Sequence, residues 1–220
     1  MSIAQHLSEI KAELPSKVVL VAVSKTKPIE DLEQAYAAGQ RVFGENKVQE
    51  MCEKHEGLPK DIQWHMIGHV QRNKIKYMAP FVSLIHGVDS IKTLKEVHKQ
   101  GLKNKRIIPV LLQVKIAKED TKFGIEPSEL SDFLEEVVNL ELKNVEIQGF
   151  MGMASNQTKQ EVVREEFSIL KTLFNKYQNQ FSNFHTLSMG MSGDYKIAIE
   201  EGSTMVRVGS AIFGTRNYAI

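Results

Sequence analysis

The chain has 220 residues, 42% hydrophobic and 25% charged, enough apolar material for one sizeable core, so a single domain over residues 1–220 is expected. Its formal net charge is +1, with Lys and Arg spread along the sequence, which indicates neither a nucleic-acid footprint nor a membrane-surface patch. Cys52 is the one cysteine in the sequence, which excludes an internal disulfide and a multi-cysteine metal site.

Residues 1–14 mix Lys and Glu with Ile and Leu at helical spacing. They lack the cationic start and unbroken apolar middle of a secretory signal, and no stretch of the chain is long enough to span a bilayer, so a cytoplasmic location is expected. Eight short runs rich in Val, Ile, Leu and Phe follow, at 18–23, 41–44, 62–67, 81–87, 107–114, 145–151, 185–189 and 205–208. Amphipathic helical patterns separate them, at 29–38, 48–55, 71–78, 91–99, 127–140, 159–177 and 195–201. Pro28 and Pro127 stand near first helical turns, Ser90 is placed as an N-cap, and Gly39, Gly101 and Gly202 fall just past helix ends. Runs such as Val18-Val19-Leu20-Val21-Ala22-Val23 are apolar without alternation, as parallel strands covered on both faces should be. Strict alternation of eight strands with helices predicts a closed (β/α)8 TIM barrel, with an open doubly wound sheet as the alternative.

In such barrels chemistry sits where strands end and the next loops begin. Ser24-Lys25-Thr26, Gly44-Glu45-Asn46, Gly68-His69 and Met151-Gly152-Met153 all fall at such ends. So do Leu187-Ser188-Met189-Gly190-Met191-Ser192-Gly193-Asp194 and Arg207-Val208-Gly209-Ser210-Ala211-Ile212-Phe213-Gly214, two small-residue turns after the last two strands. Their exposed amides, the hydroxyls of Ser192 and Ser210 and the dipole of the following helix suit a phosphate. Lys25 ends an apolar strand, so its amine is expected in the barrel mouth, where burial makes the neutral, nucleophilic form accessible for Schiff-base formation. A solvated lysine is the plainer reading of Lys25 taken alone. A phosphate site together with such a lysine points to phosphate-bearing carbonyl compounds, pyridoxal phosphate first among them.

Arg207 could reach the same ligand or pair with a carboxylate. Facing a pyridine nitrogen, it would oppose protonation there and weaken the ring as an electron sink. Asn46 could touch a ring substituent, although capping of the next helix by Glu45-Asn46 is the favoured role, and Asp194 is read as a helix-start residue. His65 and His69 are four apart, but Gly68 intervenes and the segment reads as strand and turn, so no metal site is expected. Met151, Met153, Met189 and Met191 are expected to line or pack the barrel mouth.

Val23-Ser24-Lys25-Thr26, Phe43-Gly44-Glu45-Asn46, Trp64-His65-Met66-Ile67-Gly68, Ser188-Met189-Gly190-Met191-Ser192 with Asp194, and Val206-Arg207-Val208-Gly209 through Ile212-Phe213-Gly214 occur in this order. Together they resemble the pyridoxal phosphate homeostasis protein family, whose members look like the barrel domain of alanine racemase standing alone. The resemblance implies that Lys25 is the Schiff-base lysine, that Ser192 and the amides of Gly209 and Ser210 bind the phosphate, and that Arg207 faces the pyridine nitrogen. It places Asn46, Lys122 and Met191 along the cofactor pocket. His69, in the turn after the third strand, and Asn217, in the closing Phe213-Gly214-Thr215-Arg216-Asn217-Tyr218 stretch, depart from its pattern without touching these contacts.

The resemblance further implies a binding protein that buffers the cofactor or hands it to apo forms of pyridoxal phosphate-dependent enzymes, without a dedicated reaction. The alternative is an amino-acid racemase. Alanine racemase takes its second base, a tyrosine, from an added C-terminal domain that also builds its dimer, whereas this sequence ends at Ile220 with Tyr218 in the tail. Binding without catalysis, and a monomer, are therefore expected. A Schiff-base aldolase acting on a sugar phosphate is a third reading, weakened by the lack of an evident carboxylate beside Lys25.

Overall fold

Eight parallel strands close on one another in chain order: β1 (Val19–Val23), β2 (Val42–Glu45), β3 (Gln63–Met66), β4 (Leu84–Val88), β5 (Ile108–Gln113), β6 (Val145–Met151), β7 (Thr186–Met191) and β8 (Met205–Val208). Closure comes from β1 pairing with β8, Val21 standing beside Arg207, which excludes the open sheet. This computed structural model describes residues 2–119, 123–156 and 159–214. Around the sheet run α1 (Ile3–Glu13), α2 (Ile29–Ala37), α3 (Val48–Gly57), α4 (Ile75–Met78), α5 (Ile91–Lys103), α6 (Leu130–Asn139), α7 (Gln160–Tyr177), α8 (Tyr195–Glu200) and α9 (Ser210–Phe213). Among the described residues no helix is long and apolar enough to cross a membrane.

Local chemistry sets most of these boundaries. The Ser90 hydroxyl accepts from the Thr93 amide at 3.3 Å and opens α5, and Gly39 and Gly202, at φ +82° and +90°, follow the ends of α2 and α8. Gly101 departs from its expected place, because α5 continues to Lys103 and carries the glycine inside it. A Cβ there would meet the Asn144 carbonyl at 2.7 Å and the Arg106 carbonyl at 2.9 Å, so this glycine serves close packing instead of helix termination. The pattern at 71–78 resolves into a 3₁₀ turn, Arg72–Lys74, leading into the single turn of α4. The 127–140 pattern becomes helical only from Leu130, with turns over 127–129.

Side-chain parity along the strands decides what faces the lumen. Leu20 and Ala22 of β1 join the large apolar shell between sheet and helices, whereas Val21 belongs to a separate cluster with Leu84, Leu111, Met151 and Met205 in the barrel interior. At the bulge between β5 and β6 the partner of Val110 is Ile147 but that of Leu111 is Gly149. Gly149 has φ +149°, and a Cβ on it would lie 1.8 Å from the Thr186 carbonyl oxygen of β7. Gly149→Ala is therefore expected to cost at least about 2 kcal/mol, read as a lowered urea midpoint, because the backbone itself would have to move.

Candidate functional site

At the C-terminal ends of the strands lies a cavity of about 290 Å³, and Lys25, Asn46, Met191, Ser192, Arg207, Gly209 and Ser210 all line it. Lys122 lies outside the described residues. Parity explains the gathering: with Val21 facing inward, Val23 and Lys25 follow on the same side and Ser24 turns outward. The half-buried Lys25 thus carries its amine to the barrel mouth, as its place at a strand end suggested. A second lysine that sequence reasoning passed over, Lys27, also lines the cavity. Its ammonium donates to the Phe213 carbonyl at 2.8 Å and the Gly214 carbonyl at 3.3 Å, pinning the C-terminal end of α9.

The two small-residue turns meet at Ser192. Its hydroxyl oxygen accepts from the Gly209 amide at 3.2 Å and from the Ala211 amide at 3.5 Å. The N-terminal turn of α9 thus takes the Ser192 hydroxyl as its side-chain partner, and Gly209 and Ser210 of that turn line the cavity beside it. Asp194 stands at the start of α8, as expected, but its carboxylate accepts from the Met191 amide and ties the turn together instead of capping the helix. Gly209 leaves room for close approach: a Cβ there would lie 3.1 Å from the Val23 carbonyl oxygen.

The capping role expected for Glu45 and Asn46 is not what the fold builds. Lys47 is the N-cap of α3 and makes no side-chain cap bond, Asn46 faces the cavity, and Glu45 points to the other side of β2. There the fully buried Glu45 accepts from the Ser24 hydroxyl at 2.6 Å and from the Lys54 ammonium at 2.8 Å. Burial pushes the Glu45 carboxyl up to about 7 against the pull of Lys54. Lys54 also donates to the Ser24 carbonyl at 2.7 Å and to Glu50 at 2.7 Å, and Glu50 in turn accepts from the Thr26 amide at 2.5 Å. Carboxylates thus grip both neighbours of Lys25, contacts with no local signal in the sequence.

Arg207 is buried, and its guanidinium bonds neutral acceptors in place of the carboxylate considered from sequence: the Ser188 hydroxyl at 2.6 Å and the Gly152 carbonyl at 3.0 Å. Desolvation lowers it to about 10, partly offset by the Asp194 charge. Beneath it a polar chain crosses the lumen, His86 Nδ1 lying 3.1 Å from Ser188 Oγ and His86 Nε2 3.1 Å from His65 Nδ1. A guanidinium can only donate, so the Ser188 hydroxyl accepts from Arg207 and keeps its proton and its second lone pair to match His86 Nδ1. Both rings are neutral at ordinary pH: burial lowers His65 to about 3, and burial, together with repulsion from Arg207 and from His65 once it is protonated, holds His86 well below the usual range. The one signal for His86 was a polar residue at an interior position of Leu84-Ile85-His86-Gly87-Val88.

His65 and His69 go separate ways. His65 is in the lumen, whereas His69 lies in the turn after β3, stacked 4.7 Å from Phe123 and 3.7 Å from the Asp89 carboxylate. Among the described residues no group of three or more His, Cys, Asp or Glu could hold a metal ion. Met153 and Met191 line the cavity and Met151 packs in the interior cluster. Met189, expected at the mouth, packs instead in the outer shell, on the opposite face of β7.

Residues 1–217 match the family model described as alanine racemase, N-terminal domain. The chain is 41% identical over 201 residues to the pyridoxal phosphate homeostasis protein of Aquifex aeolicus (strain VF5), covering 90% of this chain and 87% of that protein. PipY of Synechococcus elongatus PCC7942, solved with PLP bound, superposes with a TM-score of 0.88 at 35% identity over 97% of this chain and 100% of that one. An alanine racemase of Clostridium difficile 630 shares the fold, with a TM-score of 0.83 at 14% identity, this chain covering 60% of its length.

Proposed function

Because the chain belongs to the pyridoxal phosphate homeostasis protein family, within that of the alanine racemase N-terminal domain, we propose that it binds pyridoxal 5′-phosphate and buffers or hands over this reactive aldehyde. Lys25 is the Schiff-base lysine, Ser192 and the amides of Gly209 and Ser210 take the phosphate, Arg207 faces the pyridine nitrogen, and Asn46 and Met191 complete the pocket. One observation carries this reading: Lys25 and the Ser192–Ser210 cradle line a single cavity of about 290 Å³, a size suited to one small ligand. The donors fit an anion at one end, the lysine fits a carbonyl, and the bound cofactor would supply that carbonyl and an electron-accepting ring.

Holding is favoured over turnover by two features of this chain. Arg207 is a permanent cation oriented by neutral acceptors, so it opposes a second positive charge on a ring nitrogen facing it. Among the described lining residues the titratable groups are Lys25, Lys27 and Arg207, and Lys27 is engaged with main-chain carbonyls. We take the protein as one barrel domain over residues 1–220, monomeric and cytoplasmic, with apo forms of pyridoxal phosphate-dependent enzymes as recipients.

Titration of the purified protein with pyridoxal phosphate should raise a visible Schiff-base absorbance, and borohydride followed by peptide mapping should find the label on Lys25. Incubation with either alanine enantiomer should give no turnover, and robust racemisation would replace this reading with the enzymatic one. Ser192→Ala should weaken binding about tenfold, roughly 1.4 kcal/mol, the worth of one hydrogen bond to a charged oxygen, as measured by the same titration.

A further inference from the structure

We infer that Glu45, Lys54 and Glu50 are positioning residues for Lys25: an ionic clamp joining the ends of β1 and β2 to helix α3 presets the turn that carries the amine. The inference rests on the proposed role of Lys25 as the Schiff-base lysine. An ammonium has three N–H donors, and Lys54, only 5% exposed, directs them at the Ser24 carbonyl, Glu45 and Glu50 at 2.7, 2.8 and 2.7 Å. Ser24 is held twice, by its carbonyl and by its hydroxyl on Glu45, and Thr26 is held through its amide on Glu50. Both chain neighbours of Lys25 are therefore fixed from outside the barrel while its own side chain lines the cavity inside.

The turn so held is strained. Thr26 has φ +63°, a left-handed conformation that a β-branched residue adopts only where its surroundings enforce it. A buried ionic network is seldom the most stabilising way to fill such a space, since apolar groups of similar volume do as well or better. Its directional bonds, in contrast, define one geometry for the turn. With the turn preset, the amine reaches a carbonyl already aimed, and ordering it adds little to the cost of forming the bond.

Glu50 is the side chain to change, because it is partly exposed and its loss leaves Lys54 paired with Glu45. The probes are pyridoxal phosphate and pyridoxine 5′-phosphate, its alcohol analogue, which engages the anion cradle but cannot react with an amine. Glu50→Ala should slow borohydride-trappable attachment to Lys25 about tenfold and weaken pyridoxal phosphate binding to a similar degree, while pyridoxine phosphate binding stays within about twofold of the unmodified protein. Glu50→Gln should recover most of the loss, since its amide oxygen still accepts from Thr26 and Lys54. Attachment at the unmodified rate in Glu50→Ala would overturn the inference, as would equal loss of both ligands, which would mark general damage to the site. Failure of the unmodified protein to attach the aldehyde at Lys25 would instead remove the premise, and it would be seen before any variant is compared.

Discussion

Lys25→Ala is expected to abolish covalent capture of pyridoxal phosphate, leaving no visible Schiff-base absorbance and no borohydride-fixed label anywhere in the barrel. The second lysine on the cavity wall, Lys27, is not expected to substitute, because its ammonium already serves the Phe213 and Gly214 carbonyls and would leave the end of α9 unsupported if it moved. What survives is the anion cradle of Ser192, Gly209 and Ser210, so binding should weaken by at least about 100-fold without vanishing, a loss of roughly 3 kcal/mol or more. Lys25 is half-buried at the rim and lies outside the apolar shell, so its truncation opens no cavity in the core and the ligand-free variant should still unfold in one cooperative transition. A label that moves to Lys27, or binding that stays at its original strength, would refute the assignment of the lysine.

Acid should destabilise the protein mainly through the two histidines in the lumen. Their folded pKa values lie below the unfolded value of 6.5, about 3 for His65 and well below normal for His86, so the unfolded chain takes up protons that the folded one refuses. This stability is fully present above pH 6.5 and is lost as pH falls toward the folded values, each histidine contributing a slope of about 1.4 kcal/mol per pH unit. Glu45 acts with the opposite sign. Its folded pKa is raised from 4.5 to about 7, so its contribution is complete below 4.5 and is lost as pH rises through 7. Between pH 6.5 and 4.5 it offsets one histidine, leaving a net fall of about 1.4 kcal/mol per unit, and below 4.5 the histidines act unopposed. Urea midpoints at pH 7.5, 6.0 and 5.0 measure this. His65→Gln should flatten the acid limb whatever it does to absolute stability, and Glu45→Gln should steepen it. An unchanged slope in both variants would show that these buried groups do not govern the response.

Why some of this was legible in the sequence and some was not follows from the range of the interactions. The run Val18 to Val23 declares a parallel strand because both its faces are covered, and the glycines and serines after β7 and β8 declare amide-lined turns because few other residues leave that backbone exposed. Lys25, Arg207 and Ser192 could be picked out as residues where apolar strands give way to chemistry. His86 and Ser188 are 102 positions apart, and Lys54 is 30 residues from the carbonyl it holds, so neither contact has a local signature. Parity along a strand also slips at bulges: with Ser188 in the lumen, Met189 packs outside by simple alternation, and the register shift between Ser188 and Met191 is what returns Met191 to the mouth.

The sequence by itself determined the barrel, the end of it that carries chemistry and the residue types available there, since hydrophobic period, turn residues and strand ends are local properties of the chain. Only the tertiary structure decided which of those residues meet, how Arg207 is oriented by Ser188 and His86, and how Glu45, Lys54 and Glu50 hold the Lys25 turn. The physical reason is closure: bringing β8 beside β1 places residues from the two ends of the chain around one lumen, and their charges and hydrogen bonds acquire partners only when the ring is complete.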